Sequence, residues 1–399
     1  MLKTTKHPLD QAKRKSLWLY NQWRAVVFAF ALNGLLFGAW AARIPAFKHR
    51  FDLDPGALGV LLLALAGGAI VSFPVAGFLS ERWGADRLTV RCAWVYTPAL
   101  LALAFAQTPL VLGLLLFVFG VLHGAMDVAM NGWGARVEAK VERSSMSIFH
   151  AMFSLGAGIG AASGYFAVNF GLEPISHFLL VSIIGGALAL IVIIPAQDLI
   201  VTAQTPFEKK PFIVLPSGSL LCVGLIAFTV SMGEGAMADW SALFLTLVAH
   251  ANEAQAALGY AIFSIMMVLM RLFGGVMVER LGPIATTRIS ASVAFFGLVM
   301  AISGKSLILV LFGFALMGVG YAVVMPLVFS RAARDPNVAP GHAIASVATL
   351  GYGGMLLGPP IIGFVAQITG MRLSFVVLAG LVLLTFMLAP RLRVENNSH

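Results

Sequence analysis

The chain has 399 residues, 59% of them hydrophobic and only 11% charged, with a mean hydropathy of +0.92. A soluble domain carries about a quarter charged residues, so this composition excludes a water-soluble globular fold and requires lipid as solvent. The formal net charge of +9 does not indicate a nucleic-acid partner, because the basic residues sit at the ends of apolar stretches and form no basic groove.

Residues 1–23 are polar and basic, with no apolar core leading to a small-residue cleavage site. No cleaved signal peptide is expected, and the first apolar stretch itself directs insertion. Twelve apolar spans follow, at 24–47, 55–79, 89–107, 110–135, 147–169, 176–196, 216–249, 255–278, 286–303, 306–330, 341–367 and 371–389. An even number returns both termini to one side. Most lysines and arginines fall on that side, against Arg43, Lys48, Arg50, Lys305 and Arg372 opposite, with Arg271 inside a span. The positive-inside rule then places both termini in the cytoplasm. Cys92 and Cys222 lie near cytoplasmic helix ends and are expected to be free thiols. Span one ends at Ile44-Pro45. Span seven is longer than a straight crossing needs and contains Gly233-Glu234-Gly235, which predicts a bend or partial unwinding facing protein or a cavity. The one long connection, 197–215, carries Pro206 and Pro211 and is the expected cytoplasmic linker between bundles 1–196 and 216–399.

The chain repeats itself. Gly77-Phe-Leu-Ser-Glu81-Arg82-Trp-Gly84 returns as Gly275-Val-Met-Val-Glu279-Arg280-Leu-Gly282, 198 positions later. Gly120-Val-Leu-His123 matches Gly318-Val-Gly-Tyr321 at the same offset, and Gly38-Ala-Trp40 echoes Ala238-Asp239-Trp240 at 200. Spans five and eleven are both glycine-rich, which lets membrane helices approach closely. Two homologous bundles of six helices are predicted. In the repeated motif, the glycines permit close helix contact and a tight turn. Its Glu and Arg side chains can pair at the helix ends. Arg87 has no basic counterpart in the second copy, where Ala285 stands. Arg271 lies eight residues before Glu279 on the same span and is expected in the same network, with substrate binding as the lesser expectation.

A charge at membrane depth costs several kcal/mol (about 3 or more) and is a functional candidate by default. His123, Asp127 and Asn131 recur every four residues along span four and share one face. Asp127 is the expected protonatable switch, with His123 one turn away to pair with it or relay the proton. In span seven, Glu234 is expected at a cavity and Asp239 either there or at a solvated helix end, with Arg43 as a cross-half partner for one of them. Trp40, Trp240 and Tyr321 are candidate cavity aromatics or interfacial anchors. Asn33 is a mid-span amide that can reach solute or a neighbouring helix. His150 and His342 are expected to face water.

The repeated Gly-x-x-x-Glu-Arg-x-Gly loop resembles the signature of the major facilitator superfamily. The resemblance implies that these pairs lock the halves in the outward-open state and part in the inward-open one. Gly124-Ala-Met-Asp127-Val-Ala-Met-Asn131, Gly233 to Trp240, and Ser346 to Tyr352 running on to Gly358-Pro359-Pro360 resemble the bacterial YbjJ/MosC-like subgroup. More distantly, Asp127 and Asn131 are similar to an acid–Asn pair of the fucose–proton symporters, whose second acid in the first helix has no counterpart in 24–47. The resemblance implies an all-α membrane protein of twelve transmembrane helices in two pseudo-symmetric bundles, acting as a monomer in the bacterial inner membrane. The expected function is proton-coupled uptake of a small polar solute such as a sugar, polyol or derivative. Proton-driven export of amphipathic compounds is the alternative, against which span five's lack of proline counts. A non-transporting sensor or scaffold is the third. No metal-ligand cluster, nucleotide loop or nucleophile–base set is recognisable, so neither an enzyme nor a cofactor or metal is expected.

Overall fold

The computed structural model describes residues 8–141, 145–196, 215–338 and 340–393, with side chains in 17–141, 145–196, 215–338 and 342–393. The predicted linker, apart from Leu215, lies outside the described residues. Among them the chain is helical throughout: α1 (Pro8–Arg50), α2 (Pro55–Trp83), α3 (Ala85–Ala104), α4 (Pro109–Val141), α5 (Met146–Asn169), α6 (Pro174–Leu188), α7 (Ser219–Val248), α8 (Glu253–Ser303), α9 (Leu307–Tyr321), α10 (Val324–Ala333), α11 (Pro340–Thr369) and α12 (Met371–Leu388). Helix α6 runs on through a π turn, Ala189–Ile193, and a 3-10 turn, Ile194–Ala196.

Ten of these segments are long and apolar enough to cross a membrane. Two more crossings, both among the apolar spans expected, complete the count. Helix α3 opens with Asp86, Arg87 and Arg91, which lower its mean hydropathy, yet Asp86 is buried against Arg136 at 2.9 Å. Helix α8 is two crossings joined at Gly282, where φ is +76°. Only glycine adopts that region freely, so the helix reverses there without the loop expected between spans eight and nine. Conversely α9 and α10 are one crossing, interrupted at Ala322–Val323. Twelve crossings result. The surface turned outward from them is apolar, with Phe296, Phe312, Leu272, Phe273 and Ile191 each more than half exposed. Such a surface belongs in hydrocarbon.

The two bundles repeat each other's contacts. A Cβ placed on Gly120 of α4 would strike the Leu65 carbonyl oxygen of α2; one on Gly318 of α9 would strike that of Phe263 of α8. Both partners are displaced by the same 198 positions. Likewise Gly156 and Gly160 seat α5 on Ala31 and Leu35 of α1, while Gly354 and Gly358 seat α11 on Phe228 and Met232 of α7.

Two expectations about elements are corrected. Helix α7 is continuous through Gly233-Glu234-Gly235, with neither bend nor unwinding. Gly233 instead makes room for the Tyr321 ring, which a Cβ there would strike. Helix α1 does not end at Pro45 but runs on to Arg50, and α11 passes through Pro359 and Pro360. In α11 the backbone at these prolines is covered by α2, where a Cβ on Gly59 would lie 3.1 Å from the Pro359 carbonyl oxygen. Membrane helices tolerate proline when neighbours satisfy or cover the freed backbone. Cys92 and Cys222 are both free.

Candidate functional site

A cavity of about 270 Å³ lies between the bundles, walled by α1, α2, α4 and α5 on one side and α7, α8, α10 and α11 on the other. Asp127 and His123 face it from α4, Glu234 from α7 and Arg271 from α8. Phe30, Phe73, Phe153, Tyr260, Phe263 and Tyr352 supply its aromatic walls. A larger space of about 700 Å³ sits among the loops at the end opposite the termini. We take the smaller as the site because it is the one that gathers the membrane-depth charges of both halves.

The predicted stripe on span four divides. Asp127 faces the cavity, and Asn131 Nδ2 holds it from behind at 3.2 Å from Oδ1 and 2.9 Å from its carbonyl oxygen. His123 is not bonded to Asp127. Its Nδ1 pairs with the Tyr96 hydroxyl at 3.0 Å and its ring stacks on Phe37 at 5.0 Å. The two residues share a helix face, but α3 reaches His123 first.

Glu234 does meet a cation, though a different one from that expected. Arg271 Nη2 lies 3.7 Å from Glu234 Oε2, while Oε1 is buried without a partner. Arg271 Nη1 donates to Ser154 Oγ at 2.6 Å and to the His150 carbonyl oxygen at 3.3 Å, and Nε to the Ala322 carbonyl oxygen at 3.3 Å. It thus bridges α8 of one bundle to α5 of the other, at the cavity rather than beside Glu279. His150, expected simply to face water, also lines the cavity.

The remaining expected site residues stand outside it. Tyr321 covers Gly233 and its hydroxyl has no partner. Asn33 is fully buried, its Nδ2 3.6 Å from Met130 Sδ. Trp40 and Trp240 are wholly buried toward the end opposite the termini, so neither is an interfacial anchor. Asp239 is buried too, not solvated, and makes no hydrogen bond or ion pair among the described residues. Arg43 meets neither Asp239 nor Glu234; it pairs with Glu253 of α8 at 3.3 Å and donates to the Leu172 carbonyl oxygen at 3.0 Å. Glu253 was missed because it sits at a helix start, where Asn252 and Gln255 form a capping box and an acid is unremarkable.

At the terminus end, Gly84 (φ +94°) and Gly282 make the tight turns expected of the repeated motif. Gly77 and Gly275 face open space instead of a close helix contact. Glu81, Arg82, Glu279 and Arg280 are exposed and form no ion pair among the described residues. Asp86, two residues beyond Gly84, takes the ion pair with Arg136 within its own bundle. At the opposite end the bundles meet tightly: Gly363 of α11 against Pro55 and Gly59 of α2, and Gly164 of α5 against Ala257 of α8.

Sequence reading missed most of the aromatic wall, but the internal offset points to part of it. Phe73 and Arg271 are 198 apart, as are Ser154 and Tyr352. Arg271 binds Ser154, and Phe73 packs on Tyr352 with ring centroids 4.6 Å apart. The same crossing between halves occurs twice, once polar and once aromatic.

Twelve crossings in two matched bundles around a charged central cavity define a membrane transporter fold. The Major Facilitator Superfamily model matches residues 26–356, and the chain belongs to that family. It is 45% identical over 376 residues to the transporter y4wD of Sinorhizobium fredii, covering 94% of this chain and 99% of the relative. It is 31% identical over 364 residues to the membrane protein MosC of Rhizobium meliloti, covering 90% and 87%. Among solved structures, the nucleoside transporter NupG superposes with a TM-score of 0.74 at 15% identity, covering 94% of this chain and all of that one. A bacterial homologue of the human lysosomal transporter Spinster gives 0.71 at 15%, covering 96% and 98%.

Proposed function

We propose that this protein couples the movement of a small polar solute, a sugar, polyol or derivative, to protons by alternating access, with Asp127 as the protonatable group. One observation carries the reading: Asp127 faces a cavity that both bundles build, with only an amide to support its charge. With no cation bound to it among the described residues, its charge can be balanced by a proton. The volume corresponds to on the order of nine waters at about 30 Å³ each, which suits a single-ring solute. Close packing of the bundles at the end opposite the termini, with the motif charges unpaired among the described residues at the terminus end, supports a cavity that serves the cytoplasm, given the basic residues on that side.

Proteoliposomes with an imposed pH gradient, screened over sugars, polyols and their derivatives, test it. External acid driving accumulation gives uptake; acid driving release gives export. Asp127→Asn is expected to abolish gradient-driven flux, and full flux in that variant removes Asp127 from the coupling. Export has one observation in its favour, the extent of the aromatic wall, which suits amphipathic compounds.

A further inference from the structure

Charge balance inside the cavity identifies the chemical class of solute. The titratable and charged side chains that line it are Asp127, His123, His150, Glu234, Arg271, Tyr260 and Tyr352. Glu234 and Arg271 compensate each other at 3.7 Å. His123 is held as a hydrogen-bond partner of Tyr96 and stacked on Phe37, and His150 packs its ring edge-on to Phe30 at 5.3 Å while its backbone carbonyl accepts from Arg271 Nη1. Among the described residues, no Lys and no second Arg lines the cavity. Asp127 is left as the single uncompensated charge, and it is negative. Its one side-chain partner, Asn131, donates an amide N–H and supplies no charge. The aromatic pair Phe73–Tyr352, ring centroids 4.6 Å apart, lines the same cavity as Asp127. A carboxylate next to ring faces is a recognition pattern for a cation: the ion pair supplies charge, and a ring within about 6 Å adds a cation–π contact.

We propose that the solute carries a protonated amine, its ammonium set against Asp127 and the Phe73–Tyr352 wall, as an amino sugar or aminated polyol would present it. This rests on the reading that the cavity is the transport site, and it narrows the solute from polar to cationic. An anionic solute has only Arg271 to bind, already engaged by Glu234, Ser154 and two carbonyl oxygens. A neutral solute leaves Asp127 to be compensated by a proton alone. Proton and ammonium occupy the same carboxylate in turn, so acid displaces the solute.

The test is ligand-induced thermal stabilisation of the purified full-length protein in detergent, with probes matched except for one group: glucosamine against glucose and glucuronate, and benzylamine against benzyl alcohol and benzoate. At pH 7.5 an amine is expected to stabilise at least about tenfold lower concentration than its neutral partner, the worth of one hydrogen-bonded charge. Lowering the pH to 5 weakens the amine's effect. Asp127→Asn removes the amine's advantage and Asp127→Glu keeps it. Equal stabilisation by neutral partners, preference for the acids, or no effect of any amine overturns the proposal. Should Asp127→Asn fail to fold, the matched probes and the pH series on the unaltered protein decide alone. Neutral sugars that bind equally and still move with the proton gradient would sink the amine and leave proton-coupled transport standing. Full gradient-driven flux in Asp127→Asn would sink the coupling role of Asp127 and leave the amine to the matched probes.

Discussion

Asp127 and Glu234 share one cavity but keep unequal company, and that difference sets what each is expected to do. Glu234 faces an arginine that is also tied to the other bundle, so charge removal on either side is felt by both. Thermal unfolding of Glu234→Gln, Arg271→Gln and the double variant is expected to be non-additive, with a coupling of about 1–2 kcal/mol, typical of interacting neighbours. Additive losses would mean that 3.7 Å across this cavity carries no interaction. Outside the membrane, Asp335 offers a cleaner case. Burial works against its ionisation, but the Asn337 N–H, Ser219 Oγ and Arg331 Nη1 all donate to it and Arg331 adds its charge. The balance holds its carboxyl below the ordinary 3.8. A depressed folded value stabilises above the unfolded pKa and is lost as pH falls through the folded one. Asp335→Asn is therefore expected to destabilise the protein at neutral pH, and the gap from the unaltered protein should close below about pH 4. A gap that persists in acid would assign the loss to packing. The membrane acids were legible because a charge inside an apolar run stands out. Their partners were not: Tyr96 reaches His123 from α3 and Arg271 reaches Glu234 from α8, and helix periodicity says nothing about which neighbour arrives.

At the level of elements, glycine means two different things in this chain. Gly160 lets α5 lie on the α1 backbone, where a Cβ would strike the Leu35 carbonyl oxygen. Gly77 of α2 has nothing near it. Replacing a mid-helix glycine by alanine is favourable by roughly 1 kcal/mol where space allows. Gly77→Ala is therefore expected to leave the unfolding temperature unchanged or raised. Gly160→Ala forces two backbones apart and is expected to cost about 1–3 kcal/mol, as overpacking does. If the opposite state brings Gly77 against a neighbouring helix, Gly77→Leu will slow transport in liposomes while the protein remains stable; unchanged transport would show that this glycine is idle throughout the cycle. Span positions were readable from hydropathy, and the paired glycine stripes from composition. The continuity of α7 was not. Gly-Glu-Gly reads as a weak point in isolation, and only the Tyr321 ring seated over Gly233 explains why a residue without a side chain is needed in an unbroken helix.

Across the whole molecule, the two halves meet closely at the end opposite the termini. Their kinship was visible in the 198-residue offset because duplication preserves spacing even where side chains diverge. Which end is closed was not visible, since the repeated motif sits at the terminus end of both halves and reads the same whether that end is open or shut. The closed end is held by small residues and one ion pair between bundles. Arg43 is 3% exposed and its partner Glu253 36%, so the arginine depends on that carboxylate and on the Leu172 carbonyl for its charge. Glu253→Gln leaves Arg43 buried without a counterion. Partial solvation of Glu253 tempers the loss, and about 1.4 kcal/mol is enough to move a two-state equilibrium tenfold. The variant is expected to favour opening at this end. Gln107 and Lys305 suit a direct reading: they are exposed, they lie in matching turns of the two bundles at the closed end, and they are themselves 198 apart. With Cys92 and Cys222 replaced by alanine, spin labels at Q107C and K305C should give one distance population in the parent and a growing longer-distance population in the Glu253→Gln variant. Raising the salt concentration should do the same to the parent, but less, because a pair this buried is weakly screened. An unchanged distance distribution in Glu253→Gln would mean that glycine packing alone holds the closed end and that the ion pair only neutralises Arg43.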